Sequence, residues 1–136
     1  MKLHVWALSV LFVVSALFPM HPATAGVADL DVVIAVAPQM ILLGADQGEY
    51  VTVHAEIPFS TVRPGTATLN GIPVAFAFAD NRGEYVGKFL AEDVKQVVSV
   101  PETEMVLMGV TEQDETFAGS CVVMVREREG TGRSAW

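Results

Sequence analysis

Apolar and polar residues along this chain fall into short alternating or continuous runs, and only once do they recur at helical spacing. Tyr50 to Ile57 alternates most cleanly: Val51, Val53, Ala55 and Ile57 share one face and Thr52, His54 and Glu56 the other, which predicts a half-buried strand. Before it, the β-branched run Leu30 to Val36 breaks at Pro38 and resumes as Met40 to Leu43. Proline cannot donate to a ladder, so the two pieces are expected to pair with different neighbours, as when the first strand of a sandwich changes sheets. Thr66 to Glu92 predicts a three-strand meander. Asn70-Gly71 supplies a tight type I′ turn and Asp80-Asn-Arg-Gly83 the second reversal. Within it Val74, Phe76 and Phe78 share one face, and that bulk predicts contact with a second sheet; Ala75, Ala77 and Ala79 line the other.

Ala91 to Val98 is the exception, with Val94, Val97 and Val98 spaced for one or two helical turns bridging the sheets. Glu104 to Val110 and Thr116 to Arg126 then read as a hairpin about the polar turn Thr111 to Glu115, and Pro58 to Gly65 as a loop. The pattern predicts an all-β protein, an antiparallel two-sheet sandwich of about seven strands in one domain spanning residues 26–126.

The first 25 residues follow another pattern: Lys2 and His4, an apolar run from Val5 to Phe18, and Ala23-Thr-Ala25 before Gly26. This predicts a secretory signal peptide over residues 1–25, too short in its apolar run for the roughly 20 residues of a bilayer span. Cleavage after Ala25 would leave about 111 residues, enough for one core. Residues 127–136 are polar and glycine-bearing and predict a flexible tail.

Without Lys2, 16 acidic residues face 7 basic ones, a net charge of about −9. The basic residues are scattered or offset by neighbouring acids, which argues against nucleic acid and against an anionic membrane surface. Cys121 is the single cysteine, so an exported chain would have no internal disulfide; its place in a valine-rich run predicts a small buried hydrophobe.

At Ala67-Thr-Leu-Asn-Gly-Ile-Pro73, Ala79-Asp-Asn-Arg-Gly-Glu-Tyr-Val86 and Leu107-Met-Gly-Val-Thr-Glu-Gln-Asp-Glu-Thr-Phe-Ala-Gly-Ser120 the chain resembles immunoglobulin-like modules of secreted bacterial proteins. The last stretch resembles their final hairpin, where a leucine-any-glycine, a polar turn and a phenylalanine-any-glycine-serine precede a closing valine-rich strand, here Cys121 to Val125. The resemblance runs from about Asp29 to Arg126 and implies a fold, with no activity attached. Those modules often carry an acid after the glycine-serine pair where this chain has Cys121, and the cysteine pair of antibody domains is absent.

The candidate chemistry is thin. A blue-copper site needs two His, one Cys and an axial Met; with His4 and His21 in the leader, only His54, Cys121 and Met124 remain, and Met40, Met105 and Met108 read as packing. Asp80 to Glu84 and Glu112 to Glu115 place oxygens in turns but match no helix-loop-helix calcium loop. Ser60, Ser99 and Ser120 lack a nucleophile elbow, and adjacent acids such as Glu92-Asp93 face apart. No catalytic, cofactor-binding or metal residue is therefore assigned. The expectation is an exported, non-enzymatic module, periplasmic or extracellular, that recognises another envelope or extracellular protein or serves as a structural subunit. The alternative is a small carrier of a metal or ligand, or a minimal enzyme. Edge strands within Leu30 to Leu43 and Thr116 to Arg126 are the surfaces expected to carry recognition.

Overall fold

In this computed structural model, which describes residues 27–127, β4 (Tyr50–Pro58) realises the predicted alternation, with Val51, Val53, Ala55 and Ile57 buried and His54 and Glu56 exposed. The expected leader, its cleavage position and the tail beyond Glu127 lie outside the described residues. On one side β4 pairs antiparallel with β2 (Ile34–Ala37), and on the other with β8 (Glu84–Leu90), which pairs with β7 (Phe76–Ala79). This makes a four-stranded sheet in the order β2-β4-β8-β7.

The second sheet is built on the closing hairpin. Its strands β9 (Glu102–Val110) and β10 (Thr116–Arg126) pair from Val110↔Thr116 to Glu102↔Met124. The two-residue strands β5 (Thr68–Leu69) and β6 (Ile72–Pro73) extend the sheet beyond β9, while β1 (Leu30–Asp31) and β3 (Met40–Leu42) both lie parallel along β10. Six strands form this sheet. The described residues are therefore all-β and two-sheeted, with one short α-helix, α1 (Ala91–Lys95), carrying the chain from β8 to β9 and burying Ala91 and Val94. No helix among the described residues is long and apolar enough to cross a membrane.

The glycines of the closing hairpin are packing residues. Gly109 faces Phe117 across the ladder, and a Cβ there would overlap the fully buried Phe117 ring. At Gly119 a Cβ would run into the carbonyl oxygen of Val32 and the side chain of Ile34, so only glycine lets the N-terminal segment lie this close to β10. Together with Val53, Leu69, Phe89, Met105 and Leu107, Phe117 fills the space between the sheets.

Three expectations are corrected. Among the described residues ten strands replace about seven, because the N-terminal run divides into β1, β2 and β3, visiting β10, then β4, then β10 again. The stretch from Thr66 is not one meander: the hairpin β5-β6 belongs to one sheet and β7-β8 to the other, the chain crossing at Val74-Ala75. The turn itself is as expected, with Asn70 at φ 46° and Gly71 at φ 88°. The faces of β7 are also reversed. Phe76 and Phe78 stand outward, 47% and 42% exposed, and Ala77 packs toward the core. Tyr85, Phe89 and Val74 already occupy the interior there, and the two phenylalanines pack outside with Tyr50.

Candidate functional site

The N-terminal segment leaves β10 and later rejoins it, and this detour opens a trench. Backbone polarity alternates along β10: Met124 N–H donates to Gln39 O, Ala118 O accepts from Val32 N–H, and Arg126 O accepts from Leu43 N–H, whereas Val125 N–H donates to Pro101 O on the β9 side. Even-numbered residues thus turn their N–H and C=O away from β9. Between β1 and β3 no strand lies opposite Ser120 and Val122, whose only strand partners are Val106 and Glu104 on β9.

The other wall is β2. Glu56 N–H donates to Val33 O, which fixes Val33, Ala35 and Ala37 as the residues facing β4 and leaves Ile34 and Val36 facing away from it. The trench therefore runs between two open backbone edges. Two grooves lie along it, of about 450 Å³ and 340 Å³, both bordered by Ile34. The first is flanked by Asp31, Glu104 and Ser120, the second by Cys121, Val122 and Met124. Val33, Val122, Met124 and Met40 around it are exposed apolar side chains, at 63%, 58%, 39% and 37%, and Met40 and Met124 are register partners.

Neighbouring backbone is satisfied with care, which makes the gap notable. Gln47 accepts from Leu42 N–H at 2.8 Å through Oε1 and donates to Met40 O at 3.0 Å through Nε2, so its amide closes the outer edge of β3. At the other end, Asp29 Oδ2 accepts from Thr116 N–H at 2.9 Å and pins the start of β1. Asn70 likewise extends the β9 ladder, accepting from Val106 N–H at 2.6 Å and donating to Glu104 O at 3.1 Å.

Cys121 is half-buried, which corrects the expectation of full burial. It points inward from β10 at the place where the covering strand is missing and packs against the core. Burial pushes the thiol pKa up, with the nearby Val36 backbone N–H opposing more weakly. His54 is exposed on the outer face of the four-stranded sheet and does not converge with Cys121. Only Met105 of the four methionines is core; Met40, Met108 and Met124 are surface residues.

The two acidic turns are occupied by their own backbones. Asp80 Oδ1 accepts from the N–H of Glu84 at 2.9 Å and of Arg82 at 2.8 Å, which lowers its pKa. In the second turn the buried Thr111 hydroxyl oxygen accepts from the N–H of Gln113 and Glu115, while Asp114 pairs with Arg63. Ser60, Ser99 and Ser120, and the adjacent Glu92 and Asp93, are exposed. Among the described residues no group of three or more His, Cys, Asp or Glu is placed to hold a metal ion. The open residues Ser120 and Val122 were not individually legible, since their edge depends on where β1 stops and β3 begins. Comparison of the chain with protein-family models, with curated proteins and with solved structures finds no match.

Proposed function

We propose that the chain is an exported, non-enzymatic module of immunoglobulin-like type, periplasmic or extracellular, that captures an extended segment of another envelope or extracellular protein in the trench between β2 and β10. The observation that carries this reading is the interruption of β10: Ser120 and Val122 offer backbone donors and acceptors to an incoming strand, with Ile34 on the edge of β2 across from them. Backbone pairing would supply affinity. Side-chain contacts would supply selectivity, apolar against Val33, Val122 and Met124, and basic at the end flanked by Asp31 and Glu104. The immunoglobulin-like assignment is supported by the leucine-any-glycine and phenylalanine-any-glycine-serine motifs, whose glycines here make room for Phe117 and for Val32. Export rests on the charge and apolar pattern of residues 1–25.

Panning displayed random peptides of about ten residues against the purified protein tests the reading. Enriched sequences should alternate apolar and polar positions, carry a basic residue, and lose at least about tenfold in affinity to Val122→Pro, which removes an edge-facing N–H. Val122→Thr should bind as the parent does. Peptides that hold Val122→Pro undiminished would overturn strand addition.

A further inference from the structure

Two strand edges of the six-stranded sheet are blunted. Gln47 closes the open side of β3 through its side-chain amide, and β6 stops after two residues at Pro73, which has no N–H. At the far border of the four-stranded sheet, β7 has no such device. It ends the order β2-β4-β8-β7, and its sequence Phe76-Ala-Phe-Ala79 contains no charge, proline or glycine. Asp80 N–H donates to Glu84 O at 2.9 Å, so alternation along the ladder turns the peptide groups of Phe78 and Phe76 toward β8. The N–H and C=O of Ala77 and Ala79 therefore face outward, with no strand opposite them among the described residues.

The side chains beside this edge are apolar as well. Phe76 and Phe78 are exposed on the outer face of the sheet, stacked at 6.4 Å between ring centroids and 25° between planes. Tyr50 meets Phe76 edge-to-face at 5.3 Å, and the register partner of Tyr50, Leu90, is exposed too. Exposed aromatic rings are thus contiguous with open backbone groups, a combination that invites the addition of a strand. Charge shows where two copies of this chain could meet. With a net charge of −8 each, they repel across an acidic surface. Residues 74–79 hold no acid, and the acids that follow are engaged: Asp80 accepts from the N–H of Arg82 and Glu84, and Glu84 lies 3.6 Å from the Arg82 guanidinium.

We propose that β7 pairs antiparallel with β7 of a second copy of the chain, about a two-fold axis through Ala77, joining the two four-stranded sheets edge to edge. This register is self-complementary. Ala77 N–H donates to the carbonyl oxygen of the partner's Ala77 and accepts the reciprocal bond, and Ala79 N–H donates to the carbonyl oxygen of the partner's Ala75. Ala75 N–H is already bonded to Lys88 O at 2.8 Å, so only its carbonyl is required there. Phe76 then lies opposite the partner's Phe78 in a non-hydrogen-bonded pair, where side chains approach most closely, and the two aromatic stacks merge on the outer face. The pairing does not depend on what the trench binds, since β2 and β7 are the two ends of the sheet and a copy at β7 leaves β10 open.

Sedimentation equilibrium of the purified protein, up to about 500 μM, tests this. A monomer–dimer equilibrium with a Kd on the order of 10 μM is expected, with no larger species, because the two-fold pairing consumes the edge. Ala77→Pro removes the central N–H, and Phe78→Lys sets a charge against the partner's Phe76; each should weaken the dimer at least about tenfold without changing the circular dichroism spectrum. Val122→Pro, at the trench, should dimerise as the parent does. As concentration rises, amide exchange should slow at Ala77 and Ala79. A parent that stays monomeric at about 500 μM, a dimer that persists in folded Phe78→Lys, or one that Val122→Pro dissolves would overturn the pairing. Should Ala77→Pro fail to fold, Phe78→Lys and the exchange of Ala77 and Ala79 in the parent decide.

Discussion

The two borders of the four-stranded sheet, β2 and β7, are open for opposite reasons. At β2 the backbone departs: the chain leaves β10 after Asp31 and returns at Met40, so the opening is lined by unpaired peptide groups and by glycine packed against carbonyl oxygen. At β7, which pairs only with β8, the side chains leave a cleft walled by Phe59, Val62, Val74 and Tyr85. The first opening suits an extended chain, which recognises peptide groups.

Adding atoms at each border breaks the comparison most sharply. Gly119→Ala places a methyl group on Val32 O, a backbone atom that cannot step aside cheaply, and should cost about 3 kcal/mol by chemical denaturation. Ala77→Leu at the other border enters existing space and should cost less than about 1 kcal/mol, or stabilise. Equal losses would erase the distinction. Next in size, Gly71→Val forces a branched residue to φ near 88° in the turn that sets β5 against β6 and should cost about 2 kcal/mol. A parental midpoint would show that this turn does not fix the hairpin.

Smaller effects sharpen the trench border. Cys121→Ala removes a half-buried sulfur that packs against the core and should cost about 1 kcal/mol. With its thiol pKa raised by burial, Cys121 should react slowly with thiol reagents at neutral pH and faster in Gly119→Ala. Rapid reaction in the parent would mean the trench is wider than its walls imply. The smallest effect is that of Asp80, whose folded pKa lies below its ordinary 3.8 because two backbone N–H groups bind the carboxylate. A depressed pKa stabilises the fold above the unfolded value and loses that contribution as pH falls through the folded one. Asp80→Ala should therefore melt lower than the parent at pH 7, with the gap shrinking below about pH 4. A gap unchanged at low pH would assign the effect to something other than the charge.

Much of the fold was legible because local signals carried it: the alternation of β4, the Asn70-Gly71 turn, the Pro38 break and the closing hairpin all depend on neighbours in sequence. What was hidden depended on partners far along the chain. Phe76 and Phe78 alternate with alanines as any inward-facing pair would, and only the prior claim of Tyr85 and Phe89 on the interior turns them outward. The cleft beside β7 depends on the same competition and could not be read from the sequence. The trench was half legible: Pro38 announced that the strand divides, but that β1 also leaves β10 before Ile34 follows from the close approach at Gly119, which sequence spacing does not encode.

Amide hydrogen exchange across residues 119–123 tests the open edge most directly. Ser120 and Val122, turned away from β9 with no strand opposite, should exchange at least about a hundredfold faster than Cys121 and Val123, whose N–H groups lie on the β9 side. Uniform protection through all five residues would mean that the edge is closed in solution, and the trench could not accept a strand.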